Sequence, residues 1–274
     1  MRGAALMALA MLAAPIAAQQ AGDPHRPAPR VDTVPPAVPA TVRDGVLIFS
    51  KTNGFRHVEQ IPHATAVIAD LSRAGHRPSF ATENTAVFRP DLLRRFRVVV
   101  LASSSGDAFA PDQRAAFRQW IEAGGHVVAL HAAGGDSDYA WDYYRDRIIG
   151  ALFIGHPGGA DQFQPASVSI LAPRHPIMRG IRLPWAPVDE WYSFDRVPAP
   201  PAAQLLATID EASYRPGARL TMGAVHPVAW INRVGRGAVF YSAIGHRPEA
   251  YDDPNYRRMI ANALRWAGER DDPR

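Results

Sequence analysis

Apolar residues follow two rhythms along this chain. Gly45-Val46-Leu47-Ile48-Phe49, Val98-Val99-Val100-Leu101-Ala102 and Val127-Val128-Ala129-Leu130 are unbroken apolar runs bounded by polar residues. Such runs suit strands buried on both faces of a parallel sheet. Between them the spacing becomes helical. Ile61, Ala64, Ile68 and Leu71 share one face, and Gly75 follows as a cap would. Pro111 opens a second helical segment, and Gly124-Gly125 closes it after Ile121. Arg77 to Thr82 reads as a further strand. Strands alternating with helices predict a parallel sheet covered on both faces.

The second half is less regular. Val168 to Leu171, Gln204 to Ile209, Val228 to Ile231 and Ala238 to Ala243 read as strands, the last two joined by a hairpin over Asn232 to Gly237. A closing helix starts at about Pro254, with Tyr256, Ile260, Ala263 and Ala267 on one face. The expected fold is α/β: a flavodoxin-like, doubly wound, mostly parallel sheet with helices on both faces and extra strands after Ile154.

The first residues change the picture of the mature chain. Met1-Arg2 precedes an apolar run from Ala4 to Ala14, and small residues lead to a natural cut after Ala18. This is the pattern of a secretory signal peptide over residues 1–18, which predicts a periplasmic or secreted protein. Residues 19–43 are rich in Pro and Ala and read as an extended tether. The domain then spans 44–270. No later run is apolar enough to span a bilayer, so no membrane span is expected after cleavage. The chain has no cysteine, which excludes disulfides and thiol chemistry alike.

The 274-residue chain carries a net charge of +4, and Lys51 is its single lysine. The arginines are scattered rather than stacked with aromatics, so nucleic acid is not an expected partner. Gly134-Gly135 and Gly158-Gly159 lack a following Lys-Ser/Thr, and no GxGxxG follows the first strand, so no nucleotide cofactor is expected. The serine run at Ser103 to Ser105 lacks the spacing of a nucleophile elbow.

In open α/β sheets, ligands bind beyond the carboxyl ends of the strands. The first strand is followed by Lys51, Asn53, Arg56 and His57, the third by Ser103-Ser104-Ser105, the fourth by His131, and Ala238 to Ala243 by Gly245-His246. Histidines thus gather at one predicted rim. A single histidine after a strand is usually a hydrogen-bonded structural residue, but several on one rim point to a site. His156 and His226 precede prolines and carry a weaker signal. His25, His63, His76, His126 and His175 read as tether, surface or loop residues. Asp189-Glu190-Trp191-Tyr192 sets acids against aromatics, where a desolvated carboxyl can serve as acid or base. The same aromatics could stack on a sugar or belong to the core. Lys51 either pairs with a carboxylate or, if buried and neutral, forms a Schiff base.

These segments carry a resemblance. Lys51-Thr52-Asn53-Gly54-Phe55-Arg56-His57 looks like the opening motif of the trehalose-utilisation (ThuA-like) family, and Gly124-Gly125-His126 to His131-Ala132-Ala133 like its central motif. Phe153 to Pro157, His175-Pro176-Ile177, Asp189 to Tyr192, His226 to Trp230, Gly235 to His246 and Arg265-Trp266-Ala267 follow in the family's order. The resemblance implies a fold similar to class I glutamine amidotransferases, with Ala132 at the place of their nucleophilic cysteine. It also implies the use of trehalose and related disaccharides, alongside enzymes that oxidise a sugar to its 3-keto form.

The leading expectation is an enzyme that cleaves or isomerises a 3-keto-disaccharide or related glycoside, a small-molecule saccharide. His131 is the expected base or metal ligand and Glu190 its acid/base partner. His57 and His246 would polarise the carbonyl or hold a divalent metal such as Zn²⁺. Lys51, Asn53, Arg56, Ser104, His156, Asp189, Trp191 and Tyr192 are expected to contact substrate. The alternatives are a non-catalytic carbohydrate-binding protein and a partner-binding domain with a vestigial enzyme fold.

Overall fold

The computed structural model of the protein describes residues 22–269. The expected signal peptide lies outside the described residues. Eight strands form one sheet: β1 (Gly45–Phe49), β2 (Ser79–Thr82), β3 (Phe96–Ala102), β4 (His126–Leu130), β5 (Val168–Ile170), β6 (Ala203–Ile209), β7 (His226–Val234) and β8 (Gly237–Ser242). Their order across the sheet is β2-β1-β3-β4-β8-β7-β6-β5. The pairs from β2 to β8 are parallel, and those from β8 to β5 are antiparallel. The parallel part has the strand order of a flavodoxin-like fold, and the antiparallel strands extend it at one edge.

The unbroken apolar runs are explained by what lies on either side. Val46, Ile48, Val98, Val100, Val128 and Leu130 face one core. Leu47, Phe49, Val99, Leu101, Val127 and Ala129 face the other. Successive strand residues point to opposite faces, so a strand buried on both faces must be apolar at every position. Helices α1 (Gln60–Ala74) and α3 (Pro254–Gly268) cover the first face with Ala64, Ile68, Met259, Ile260 and Ala263. Helix α2 (Pro111–Glu122) covers the second with Ala116, Phe117 and Ile121. Gly75 caps α1 by donating to Leu71 O at 3.0 Å.

Several strand ends differ from the sequence reading by one to three residues. β7 starts at His226 and runs to Val234, so the hairpin turn is only Gly235-Arg236. Gly235 takes it at φ +61°, a left-handed conformation that favours glycine. His126, expected as a tether, surface or loop residue, is instead the buried first residue of β4, edge-on to Trp266.

Residues 22–43 are extended and lie along the domain. Asp32 is the main anchor. Its carboxylate accepts from Lys51 Nζ at 3.0 Å and from Thr85 N at 3.1 Å, and its own N–H donates to Thr85 Oγ1 at 2.8 Å. Burial alone would raise the Asp32 pKa, but the Lys51 ammonium and the Thr85 N–H outweigh it and hold the carboxyl below its usual value. No helix among the described residues is long and apolar enough to cross a membrane.

Candidate active site

The site lies beyond the carboxyl ends of β1, β4 and β8. β4 ends in His131, which adopts φ +47°. A non-glycine residue in this region costs roughly 1–3 kcal/mol and persists only where its surroundings fix it. Here the ring is fixed at both nitrogens. Nδ1 lies 2.8 Å from Ala243 O and Nε2 2.9 Å from the Tyr192 hydroxyl. The sharp post-strand position is therefore held by His131 and not by Ala132, as strand position alone suggested. A carbonyl only accepts, so Nδ1 carries the proton and Nε2 presents its lone pair.

The loop after β1 brings His57 and the loop after β8 brings His246. His57 Nε2 is 3.1 Å from His131 Nε2 and 3.2 Å from His246 Nδ1. Glu190 closes the group: its Oε2 is 2.9 Å from His246 Nδ1 and 3.8 Å from His131 Nε2. One donor atom from each of these four residues lies within 4.8 Å of all the others. Glu190 Oε1 accepts from Gln162 Nε2 at 2.7 Å and faces His156 Nδ1 at 3.2 Å.

Burial sets the charge states. Desolvation, helped by repulsion from His246, pushes His57 down to about 3. It pushes His131 well below its usual value, with His57 and His246 adding to the effect. Burial would raise Glu190, but the His246 hydrogen bond and the nearby imidazoles hold its pKa below the usual carboxylate value. His57 and His131 are thus neutral imidazoles beside an ionised carboxylate, a set of electron-pair donors.

A cavity of about 450 Å³ opens over the cluster, lined by His57, Glu190, Tyr192, His246, His156 and Phe55 together with Gly54, Gly135 and Asp136. A Cβ on Gly135 would sit 2.6 Å from the Tyr192 ring, so only glycine lets the β4 loop approach this closely. A larger concavity of about 670 Å³ lies at the amino ends of the strands, around Arg43, Asp44 and Arg95. It has no such convergence of histidine and carboxylate.

Several expected substrate contacts are elsewhere. Lys51 pairs with Asp32, which rules it out as a free amine in the cavity. Asn53 is a clip between the Arg30 N–H and the Asp107 carbonyl. Arg56 forms a two-point ion pair with Glu83 at 2.7 and 3.0 Å. Ser104 is buried beside the Tyr144 hydroxyl. Trp191 is wholly buried and donates from Nε1 to Gln164 O at 2.7 Å, so it is core and has no face for a sugar. Tyr192 reaches the cavity edge, but its hydroxyl is engaged with His131.

Asp189 has a different task from the one expected. It is fully buried and accepts from the backbone N–H groups of Glu190 (2.8 Å), Gly245 (2.7 Å) and His246 (3.0 Å). It ties the Glu190 segment to the β8 loop and so sets the distance between Glu190 and His246. Desolvation pushes its pKa up to about 6 against the pull of those three donors. His226 is also structural: its ring bridges the Glu211 carboxylate and the Tyr192 carbonyl.

The sequence reading passed over Asp136, Gln162 and Phe163. Asp136 follows Gly134-Gly135 directly after β4, and that position was its available signal. Burial raises its pKa. Phe163 packs edge-on to His246 with ring centroids 4.9 Å apart. Phe55, 40% exposed, lines this cavity, and Phe163, 37% exposed, lines the adjoining concavity, which also borders His246.

Solved structures share this fold. A ThuA-like protein from Bacteroides uniformis superposes with a TM-score of 0.70 at 21% identity, covering 85% of this chain and 95% of that one. One from Parabacteroides merdae gives 0.62 at 18% identity, covering 82% and 90%. A β-galactosidase from Rahnella sp. R3 gives 0.50 at 15% identity, but the match covers 81% of this chain and only 31% of that one. At these identities the likeness is one of fold. No protein of curated function matches the sequence. The sequence model of the trehalose-utilisation family, ThuA, matches residues 45–267, which takes in the whole sheet, its helices and every residue of the histidine cluster, and the chain belongs to that family.

Proposed function

We propose that the protein is an enzyme of carbohydrate breakdown that removes the proton beside a sugar carbonyl and, where a glycosidic oxygen stands one carbon further on, expels it. The observation that carries this reading is the convergence of His57, His131, His246 and Glu190 beneath one open cavity. Family membership supplies the sugar context.

In a 3-keto-glycoside the carbonyl acidifies the C2 proton. A base takes that proton, and the C–H electron pair becomes the enolate, with charge on the C3 oxygen. The enolate collapses: C3=O re-forms, a C1=C2 double bond forms and the C1–O bond breaks. The departing oxygen takes a proton from an acid. Water then adds to C1 and restores the 3-keto sugar. Stopping at the enolate and returning the proton to another carbon gives isomerisation with the same groups.

The C3 oxygen binds over the histidine–glutamate cluster, whose lone pairs hold the protons or cation that take up its charge. His131 lies beneath His57 and Tyr192 with no exposed surface, so it acts through the cluster and not as the base. Asp136, which lines the same cavity and whose pKa burial raises, is the base. His156, on the rim beside Glu190, protonates the departing oxygen. Phe55 offers the sugar an apolar face at the mouth.

The test is turnover of a panel of glycosides and their 3-keto forms, followed by mass spectrometry. Cleavage or isomerisation of the 3-keto forms is expected, with a loss of about 10²–10⁴-fold in Asp136→Asn. Inertness toward the whole panel, or full turnover by both Asp136→Asn and Glu190→Gln, refutes the proposal. Export to the periplasm or medium is part of the same reading, tested by finding the mature amino terminus after Ala18.

A further inference from the structure

We propose that His57 Nε2, His131 Nε2, His246 Nδ1 and Glu190 Oε2 bind one divalent first-row transition-metal ion of the zinc class. The ion would be the electrophile that the carbonyl chemistry above uses, so the role rests on that reading. The binding itself does not.

The first support is geometric. Around an ion with metal–nitrogen distances of about 2.0–2.1 Å, tetrahedral ligands stand about 3.3–3.4 Å apart. Four of the six donor–donor separations are 3.1, 3.2, 2.9 and 3.8 Å and all six are within 4.8 Å, a spread close enough for one ion to draw the donors together.

The second is that protons alone cannot satisfy these atoms. His131 Nδ1 must carry a proton for the Ala243 carbonyl, so its Nε2 is a lone pair that already receives the Tyr192 hydroxyl. His246 Nδ1 faces a carboxylate oxygen, so without an ion it carries a proton. His57 Nε2 stands between them. If it is bare, it sets lone pair against lone pair at 3.1 Å from His131; if protonated, it sets N–H against N–H at 3.2 Å from His246. Either choice leaves one close contact of like polarity. A single cation resolves both, releasing the His246 proton and accepting the imidazole lone pairs. The Tyr192 hydroxyl is then free to donate to an oxygen bound on the ion.

The third is the support around the donors. Metal-bound histidines usually give their second N–H to a carbonyl or carboxylate, and ligating carboxylates are themselves hydrogen-bonded. His131 has Ala243 O, and Glu190 Oε1 has Gln162. Three imidazole nitrogens and one carboxylate oxygen suit Zn²⁺, Co²⁺, Fe²⁺ or Mn²⁺ better than Mg²⁺ or Ca²⁺, which prefer oxygen sets. The cavity above leaves room for a water or substrate oxygen as a further ligand.

The experiment uses the full chain, stripped with chelator and titrated with Co²⁺ and Zn²⁺. Binding is followed by cobalt visible absorption and by metal analysis after gel filtration. One ion per chain is expected, with Mg²⁺ unable to displace it. His246→Ala, at the partly exposed edge of the cluster, and Glu190→Gln should each weaken binding at least about tenfold. His63→Ala, at the surface ion pair with Asp252, should leave it unchanged. Circular dichroism checks that each variant is folded. No stoichiometric binding by the wild type, or unchanged affinity in folded His246→Ala and Glu190→Gln, overturns the proposal. A protein that binds the ion but transforms no sugar refutes the proposed function and leaves the metal site standing. Full turnover by metal-free protein refutes the ion's role as electrophile and leaves the sugar chemistry standing, while the binding titration decides the site itself.

Discussion

Asp189→Asn separates what the buried carboxylate does for stability from what it does for the site. Asp189 Oδ1 accepts from Glu190 N and His246 N, and Oδ2 accepts from Gly245 N. An asparagine can place its one oxygen at Oδ1, which keeps two of these bonds and turns its NH₂ toward the Gly245 N–H. A buried donor left unpaired costs about 1–3 kcal/mol. Against this, the amide carries no charge to desolvate. The Asp189 pKa is raised from 3.8 to about 6, so ionising it in the folded protein costs about 3 kcal/mol at neutral pH. The two effects nearly cancel at pH 7. The pH dependence does not cancel. A carboxyl whose folded pKa is raised contributes stability below its unfolded pKa and loses it as pH rises through the folded one. Wild type therefore gains about 2 kcal/mol from this group between pH 7 and pH 4.5, and Asp189→Asn cannot. Urea unfolding of both proteins in chelator, at pH 7 and pH 4.5, should show a substitution penalty larger at the lower pH by about that amount. Cobalt affinity should fall at pH 7 although stability hardly changes, because the β8 loop has lost an anchor. A penalty that is equal at both pH values, or larger at pH 7, would show that the three donors outweigh burial and would refute the reasoning.

Trp191→Phe removes the Nε1–Gln164 bond from a packed core and should cost about 1–2 kcal/mol in thermal or urea unfolding while leaving saccharide KM unchanged. A raised KM at unchanged stability would restore Trp191 to the binding surface. Lys51→Ala removes the buried cation of the Asp32 carboxylate and leaves only the exposed Arg30, and limited proteolysis should cut residues 22–43 faster than in wild type. Borohydride treatment with a keto-sugar should leave Lys51 unmodified. In metal-stripped protein, His57 and His131 stay neutral when folded but protonate when unfolded, so their stabilisation is present above pH 6.5 and lost as pH falls. Together they should steepen the fall by up to about 2.7 kcal/mol per pH unit below that point. His57→Gln should flatten the profile, and an unchanged slope would contradict their burial as neutral rings.

The main sheet was legible because parallel strands buried on both faces leave an apolar signature independent of context. All eight strands and the three long helices appear where the apolar rhythm places them. The histidine rim was legible for a related reason: strand ends fix where the following residues go, so His57, His131 and His246 could be assigned to one edge. Outside β5 and β6, the segment between Gly150 and His226 was less readable. It folds through very short pairings such as Phe153–Gly155 with Ser193–Phe194, too brief to leave a period. Within it, Asp189-Glu190-Trp191-Tyr192 gives no sign of which side chain faces the cavity. Alternation settles it in space: Glu190 faces the histidines while Asp189 and Trp191 are buried among backbone donors and core. Lys51 does pair with a carboxylate, one of the two roles its sequence context offered, but its partner Asp32 and the Arg30 that Asn53 holds come from a proline-rich segment whose composition predicts no packing. Asp136 was missed because a single acid after a glycine pair looks like any loop residue until the other residues lining the cavity are known.

The central claim is that the cluster stabilises charge on a sugar carbonyl so that the neighbouring proton can leave. Proton exchange reports this step whether or not cleavage follows. Metal-loaded protein in D₂O, with a 3-keto-disaccharide followed by NMR, should exchange the C2 hydrogen for deuterium far faster than buffer alone. His246→Ala and Asp136→Asn should each slow that exchange by at least about a hundredfold. Exchange no faster than in buffer, or equally fast in wild type and both variants, would contradict the account.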